Sequence, residues 1–207
     1  MNIQLYADFT CPFSYMGKRR LDQALEQWDG EAYVELVSFQ LTPEASTEQS
    51  VATVDLLAKK FSKTREETLA TTAHLRDQAA SMGLTYNYDT MRAPNTKKAH
   101  RLTKWAAQQG KGYEATEAFF RAIFTEGKDL NIEQDLLAVV EGLGLSVDEA
   151  KALLATEQFA AEVDADKERA LAQGIRSVPV FVIDEKYMIT GVQDIEVFLQ
   201  AFAKANS

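Results

Sequence analysis

Along the first forty residues the pattern of apolar positions changes period twice. Ile3, Leu5 and Ala7 alternate with polar or aromatic neighbours, and "YVELVSF" (Tyr33–Phe39) does much the same. A period of two predicts half-buried strands at both places. Between them Met16, Leu21, Ala24, Leu25 and Trp28 recur at helical spacing, and Asp29-Gly30 supplies a stop signal. The chain therefore opens as strand, helix, strand. Strand signals return near the C-terminus, where "VPVFVID" and "YMIT" flank the polar turn Asp184-Glu185-Lys186 and precede a helical "DIEVFLQAFAKA". That predicts a hairpin followed by a helix.

Between these ends, from Pro43 to Gly174, helix patterns and helix punctuation dominate. Helices are expected over parts of Val51–Lys60, Thr64–Met82, Asn95–Gln109, Tyr113–Thr125, Ile132–Gly142, Val147–Ala155 and Gln158–Gln173. Asp148 and Glu149 fall in a first turn, and Gly83 and Gly110 follow helical runs, as helix ends favour. No fixed-period repeat and no Gly/Ser-rich linker interrupts the chain. The helical stretch reads as an insertion that packs on the sheet.

A chain of 207 residues, 46% hydrophobic and 26% charged, is long enough to bury a sizeable core. Its 22 Lys and Arg against 31 Asp and Glu give a net charge of -9, which repels phosphate backbones and anionic lipid. Neither nucleic acid nor a membrane is expected as a partner. The opening "MNIQLYADF" lacks a basic stretch followed by an apolar one, so no export signal is expected. With one cysteine, no disulfide can form within the chain, which fits a reducing, cytoplasmic setting. Joining of two copies as a homodimer stays open.

That cysteine lies in "FTCPFSYMGK", just after the first predicted strand and just before the first predicted helix. Pro12 suits the first helical turn, where its fixed φ and missing N–H cost nothing. Cys11 would then stand at a helix N-terminus, where free N–H groups and the helix dipole favour a thiolate. Its pKa is expected to fall below the free value of about 8.5. A lone cysteine is most often a small buried hydrophobe; the strand-Cys-Pro-helix setting favours a reactive thiol. Far along the chain, in "GIRSVPVFVID", Val178-Pro179 leads straight into a strand. Proline cannot donate to a sheet ladder, so a strand start suits it, and most X-Pro bonds are trans.

Taken together, Cys11-Pro12-Phe13-Ser14 after a strand, a helical insertion, and Ser177-Val178-Pro179 before a terminal hairpin and helix resemble the DsbA family of thioredoxin-fold proteins. More narrowly they resemble its FrnE-like branch, with "SFQLTP" (38–43), "APNTKKAHRLTKWA" (93–106), "FFRAIFTEGKDLN" (119–131) and "GIRSVPVFVIDEKYMITGVQ" (174–193) in support. The resemblance spans nearly the whole chain. It implies an α/β thioredoxin fold, βαβ then ββα, interrupted by a large all-helical insertion. Residues 1–44 and 172–207 would form the discontinuous thioredoxin-like domain and 45–171 the insertion. It also implies that Pro179 is cis and that Val178 pairs through its backbone with an extended substrate. Pro12 and Phe13 would complete the substrate-binding surface.

Cys11 matches the family's attacking cysteine, whereas Ser14 replaces its usual second cysteine. A serine cannot resolve a mixed disulfide. The expected function is thus monothiol exchange, with Cys11 and Ser14 as catalytic residues and an external thiol completing the cycle. Ser14 either donates a hydrogen bond to the thiolate or is inert. No bound cofactor is expected, with glutathione or another low-molecular-weight thiol as candidate co-substrate. The partner would be a thiol- or disulfide-bearing protein or small molecule. Two alternatives stand beside it: a glutathione-dependent transferase or isomerase on the same architecture, and a redox-inactive binding module built on the Pro179 loop.

Other residues invite a role. His100 lies beside the apolar face of Ala99, Leu102 and Ala106, as a structural or site-rim residue. Phe9, Phe13 and Tyr15 flank the thiol and are either an apolar rim or core. Asp8 would raise the Cys11 pKa if its carboxylate faced the sulfur. His74 sits in a polar helix. Two distant histidines and one cysteine give no metal-ligand spacing, so no metal site is expected.

Overall fold

The computed structural model describes residues 1–206. They fall into two compact units, one formed by 1–41 with the segment from 159 onward, the other by 42–158.

In the first unit, strand β1 (Asn2–Ala7) leads into helix α1 (Pro12–Leu25) and strand β2 (Tyr33–Ser38). β2 lies parallel to β1, with Leu5 opposite Leu36. The C-terminal segment adds strand β5 (Val180–Ile183), strand β6 (Tyr187–Thr190) and helix α9 (Ile195–Ala205). Both added pairings are antiparallel, and the sheet order is β2-β1-β5-β6. This is the expected mixed α/β thioredoxin fold.

The period of two decides what each face of the sheet buries. Ile3, Leu5, Phe181 and Ile183 point to one side and are fully or almost fully buried. Phe181 meets Phe198 of α9 edge-on at 4.9 Å, and Phe202 does the same with Trp28 at 5.6 Å. On the other side Tyr6, Val37, Val180 and Val182 join Ala170 and Ile175 in one cluster.

Ala170 belongs to helix α8 (Ala160–Ala172), which the sequence reading placed in the insertion. The structure corrects that boundary: α8 packs on β2 and belongs to the sheet unit. Its buried residues Ala160, Val163, Asp166 and Ala170 share one helical stripe. Asp166 accepts the Ser38 backbone N–H at 2.9 Å, and Lys167 donates to the Gln40 carbonyl at 2.6 Å. The first boundary also moves, from 44 to 41.

The second unit holds helices α2 (Thr53–Phe61), α3 (Arg65–Ser81), α4 (Lys97–Gln108), α5 (Gly112–Phe124), α6 (Glu133–Gly142) and α7 (Val147–Leu154). Two short strands, β3 (Val51–Ala52) and β4 (Arg92–Ala93), pair antiparallel where only helix was expected at Val51. Ala99, Leu102 and Ala106 of α4 and Phe119, Phe120 and Ile123 of α5 are buried. Arg101 is buried too, and its guanidinium donates to the carbonyls of Leu153, Thr156 and Gln158, satisfying groups at the end of α7. Among the described residues, no helix is long and apolar enough to cross a membrane.

Candidate active site

Cys11 is the N-cap of α1, with extended backbone angles, and Pro12 occupies the first helical turn. A tight turn delivers it there: the Cys11 N–H donates to the Asp8 carbonyl at 3.0 Å. The Cys11 carbonyl then accepts from Ser14 N–H at 3.1 Å and starts the helix. Because β1 runs antiparallel to β5, with Tyr6 opposite Val180, the end of β1 lies beside the start of β5. The two stretches singled out in the sequence therefore meet. The Cys11 thiol donates to the Val178 carbonyl at 3.7 Å, and the Val178–Pro179 bond is cis. The other side of this loop is held by Gly191, whose N–H donates to the Pro179 carbonyl at 2.9 Å.

Exposure separates the flanking residues. Phe13 is 43% exposed, as is Leu41, while Cys11 itself is 6% exposed. Pro12 and Val178 are half-buried and Pro179 is buried. Phe9, in the turn after β1, and Tyr15, on α1, are buried, so of the two readings, apolar rim or core, both are core. His100 lies on α4 in the other unit and is fully buried. The sequence reading put it at the edge of the apolar face; instead it is enclosed with Ala99 and Leu102. His74 is exposed.

The expectation of a lowered Cys11 pKa is overturned. Burial pushes the thiol above its ordinary value, because a charged sulfur would lose its hydration. Hydrogen bonding from the Ser14 side chain and from the Ser14 and Phe13 backbones pulls in the other direction without cancelling it. The Asp8 carboxylate adds a smaller upward push. Helix N-terminal stabilisation is thus present, and desolvation outweighs it. Near neutral pH the resting sulfur is a protonated thiol.

Two polar residues complete the surroundings. Ser14 is fully buried, and its hydroxyl makes no hydrogen bond of ordinary geometry, although it lies near enough to the sulfur to favour the thiolate. Asp8 is 1% exposed and accepts from the Thr10 hydroxyl at 3.0 Å and the Leu41 backbone N–H at 2.9 Å. It thereby ties the turn before Cys11 to the chain leaving β2. Gly17 was not singled out from the sequence. It faces Pro179 from α1, and a glycine amid an otherwise helical pattern was the available signal. Among the described residues, no three His, Cys, Asp or Glu side chains converge as a metal ion requires.

Chemically, this arrangement offers one thiol at a helix N-terminus, beside a cis-proline loop whose Val178 carbonyl accepts its S–H. The chain has no second thiol to resolve a mixed disulfide at Cys11.

Comparison with known proteins gives a consistent family. The family model described as DSBA-like thioredoxin domain matches residues 2–203. An uncharacterized Bacillus subtilis protein, YwbO, is 25% identical over 205 residues, covering 98% of this chain and 96% of its own. The crystal structure of a probable DsbA oxidoreductase from Streptomyces coelicolor superposes with a TM-score of 0.92 at 32% identity, covering 99% of this chain and 89% of that one. The cytosolic disulfide reductase DsbM of Pseudomonas aeruginosa shares the fold at a TM-score of 0.65 and 17% identity, over 100% of this chain and 98% of its own.

Proposed function

Because the chain belongs to the family of DSBA-like thioredoxin domains, we propose that it is a thiol–disulfide exchange protein that works through Cys11 alone. The observation that carries this reading is the Cys11 sulfur 3.7 Å from the Val178 carbonyl, on a cis-proline loop, with Ser14 where a second thiol would stand.

In the first step the Cys11 thiol gives its proton to solvent, and the thiolate attacks one sulfur of a disulfide. The S–S bond breaks, the second sulfur leaves as a thiolate, and Cys11 is held in a mixed disulfide. An external thiolate then attacks that mixed disulfide, takes the bound partner away as a new disulfide, and returns Cys11 as a thiolate. Net electrons pass from the external thiol to the substrate disulfide. Where the substrate itself supplies the second thiol, the outcome is isomerisation.

Val178 offers its backbone to an extended substrate strand, while Pro12 and the exposed Phe13 supply apolar surface beside the thiol. Ser14 donates to the thiolate once it forms, since its buried hydroxyl then gains a charged acceptor. Glutathione or a similar small thiol serves as the external thiol, in a cytoplasmic setting. A solved structure of DsbM, which shares the fold, is of that protein with GSH, which supports this choice of co-substrate. Within the family we place the chain in the FrnE-like branch, on its Cys-Pro-Phe-Ser unit and the stretches quoted above.

The test is intact mass after exposure to glutathione disulfide. We expect one glutathione on wild type, none on Cys11→Ser, and release by added reduced glutathione. A wild-type protein that takes up no glutathione overturns the reading.

A further inference from the structure

Gly17 lies in the first half of α1, on the side that meets the cis-proline loop. A Cβ built at this position would stand 2.8 Å from Pro179 Cγ and 3.1 Å from Phe181 Cζ. Neither neighbour is the free end of a flexible chain: one is a proline ring and the other a buried aromatic in β5. The backbone of Gly17 is ordinary helix, so space and not conformation calls for glycine here. Alanine would otherwise serve a helix interior better.

We propose that Gly17 is a positioning residue for exchange: its missing side chain lets the Val178–Pro179 loop close on α1 until the Val178 carbonyl accepts the Cys11 S–H, which couples strand docking on that carbonyl to ionisation of the thiol. The proposal rests on Cys11 being the attacking sulfur.

The coupling follows from what each partner becomes. In the resting site the carbonyl accepts a hydrogen bond from S–H, which favours the neutral thiol. Once the proton leaves, a thiolate and a carbonyl oxygen face each other at 3.7 Å, two acceptors with no hydrogen between them. A substrate N–H arriving at that carbonyl supplies the missing donor. Strand docking therefore favours the thiolate, and by reciprocity the thiolate favours docking. From the turn after β1 the charged group bearing on the sulfur is Asp8; from α1 the neighbours are the neutral Ser14 hydroxyl and the Ser14 and Phe13 N–H groups.

Gly17→Ala separates this account from a general packing defect, because it predicts two rates moving in opposite directions. Pushing the loop away removes the carbonyl from the S–H, so alkylation by iodoacetamide at pH 7 becomes faster. It also misplaces the edge on which an extended disulfide docks, so exchange with glutathione disulfide slows by about tenfold or more. Two unchanged rates, or two rates moving the same way, overturn the proposal. Should Gly17→Ala fail to fold, wild type carries a second test. The carbonyl carbon shift of Val178, followed by NMR, moves with the same midpoint as Cys11 alkylation and stays still in Cys11→Ser. A carbonyl that ignores the titration overturns the coupling. If wild type takes up no glutathione, the exchange reading fails on its own, while the carbonyl titration still reports on the contact.

Discussion

The Cys11 thiol donates to the Val178 carbonyl at 3.7 Å across a sequence separation of 167 residues. Two adjacent antiparallel strands make this possible, since β1 ends where β5 begins. The consequence is chemical as well as topological. The sulfur rests as a buried, hydrogen-bonded thiol and not as the ready thiolate that its helix N-terminus alone would favour.

Alkylation of Cys11 should therefore titrate late. With burial as the leading cause of the raised pKa, the midpoint of iodoacetamide modification lies above the free-thiol value of about 8.5. Ser14→Ala removes a stabiliser of the thiolate and moves the midpoint further up. Asp8→Asn removes a neighbouring negative charge and moves it down. Rates measured between about pH 6 and 11 in the three proteins check all three directions.

Folding stability inherits the same sign. The folded protein holds the Cys11 proton more tightly than the unfolded chain does, so below the unfolded pKa of about 8.5 the stabilisation is fully present. It is lost as pH rises through the higher folded value. Urea unfolding of wild type and Cys11→Ser at a series of alkaline pH values should show wild type losing stability relative to the variant. A constant difference across that range would contradict the burial account.

Ser14→Cys should change the chemistry without changing the fold. Serine and cysteine differ by one atom, and position 14 is fully buried one turn from the thiol. The new thiol attacks the mixed disulfide at Cys11, so glutathione no longer accumulates and an internal disulfide forms instead. Intact mass after glutathione disulfide treatment distinguishes the two products.

Much of the site was legible because short-range rules place it. The period of two in β1, the proline at the first helical turn and the apolar run after Val178-Pro179 are local signals, and each fixes an element. Their meeting was legible only through the family resemblance. What escaped depends on tertiary packing. β3 and β4 have two residues each, too short to show a period. α8 carries a stripe of small residues with one aspartate, which says little until β2 lies beneath it. The Cys11 pKa was misjudged in sign because a helix N-terminus can be read from sequence, whereas desolvation of the sulfur cannot.

In the proposed exchange one thiol does the work and another molecule completes the cycle. The most direct measurement is turnover of a disulfide-bonded peptide with and without reduced glutathione, in wild type and Cys11→Ser. Wild type is expected to stop after one equivalent without glutathione and to turn over repeatedly with it, and Cys11→Ser to add nothing to the uncatalysed rate. Repeated net reduction of the peptide by wild type without any external thiol, or equal turnover by Cys11→Ser, would contradict the proposed exchange.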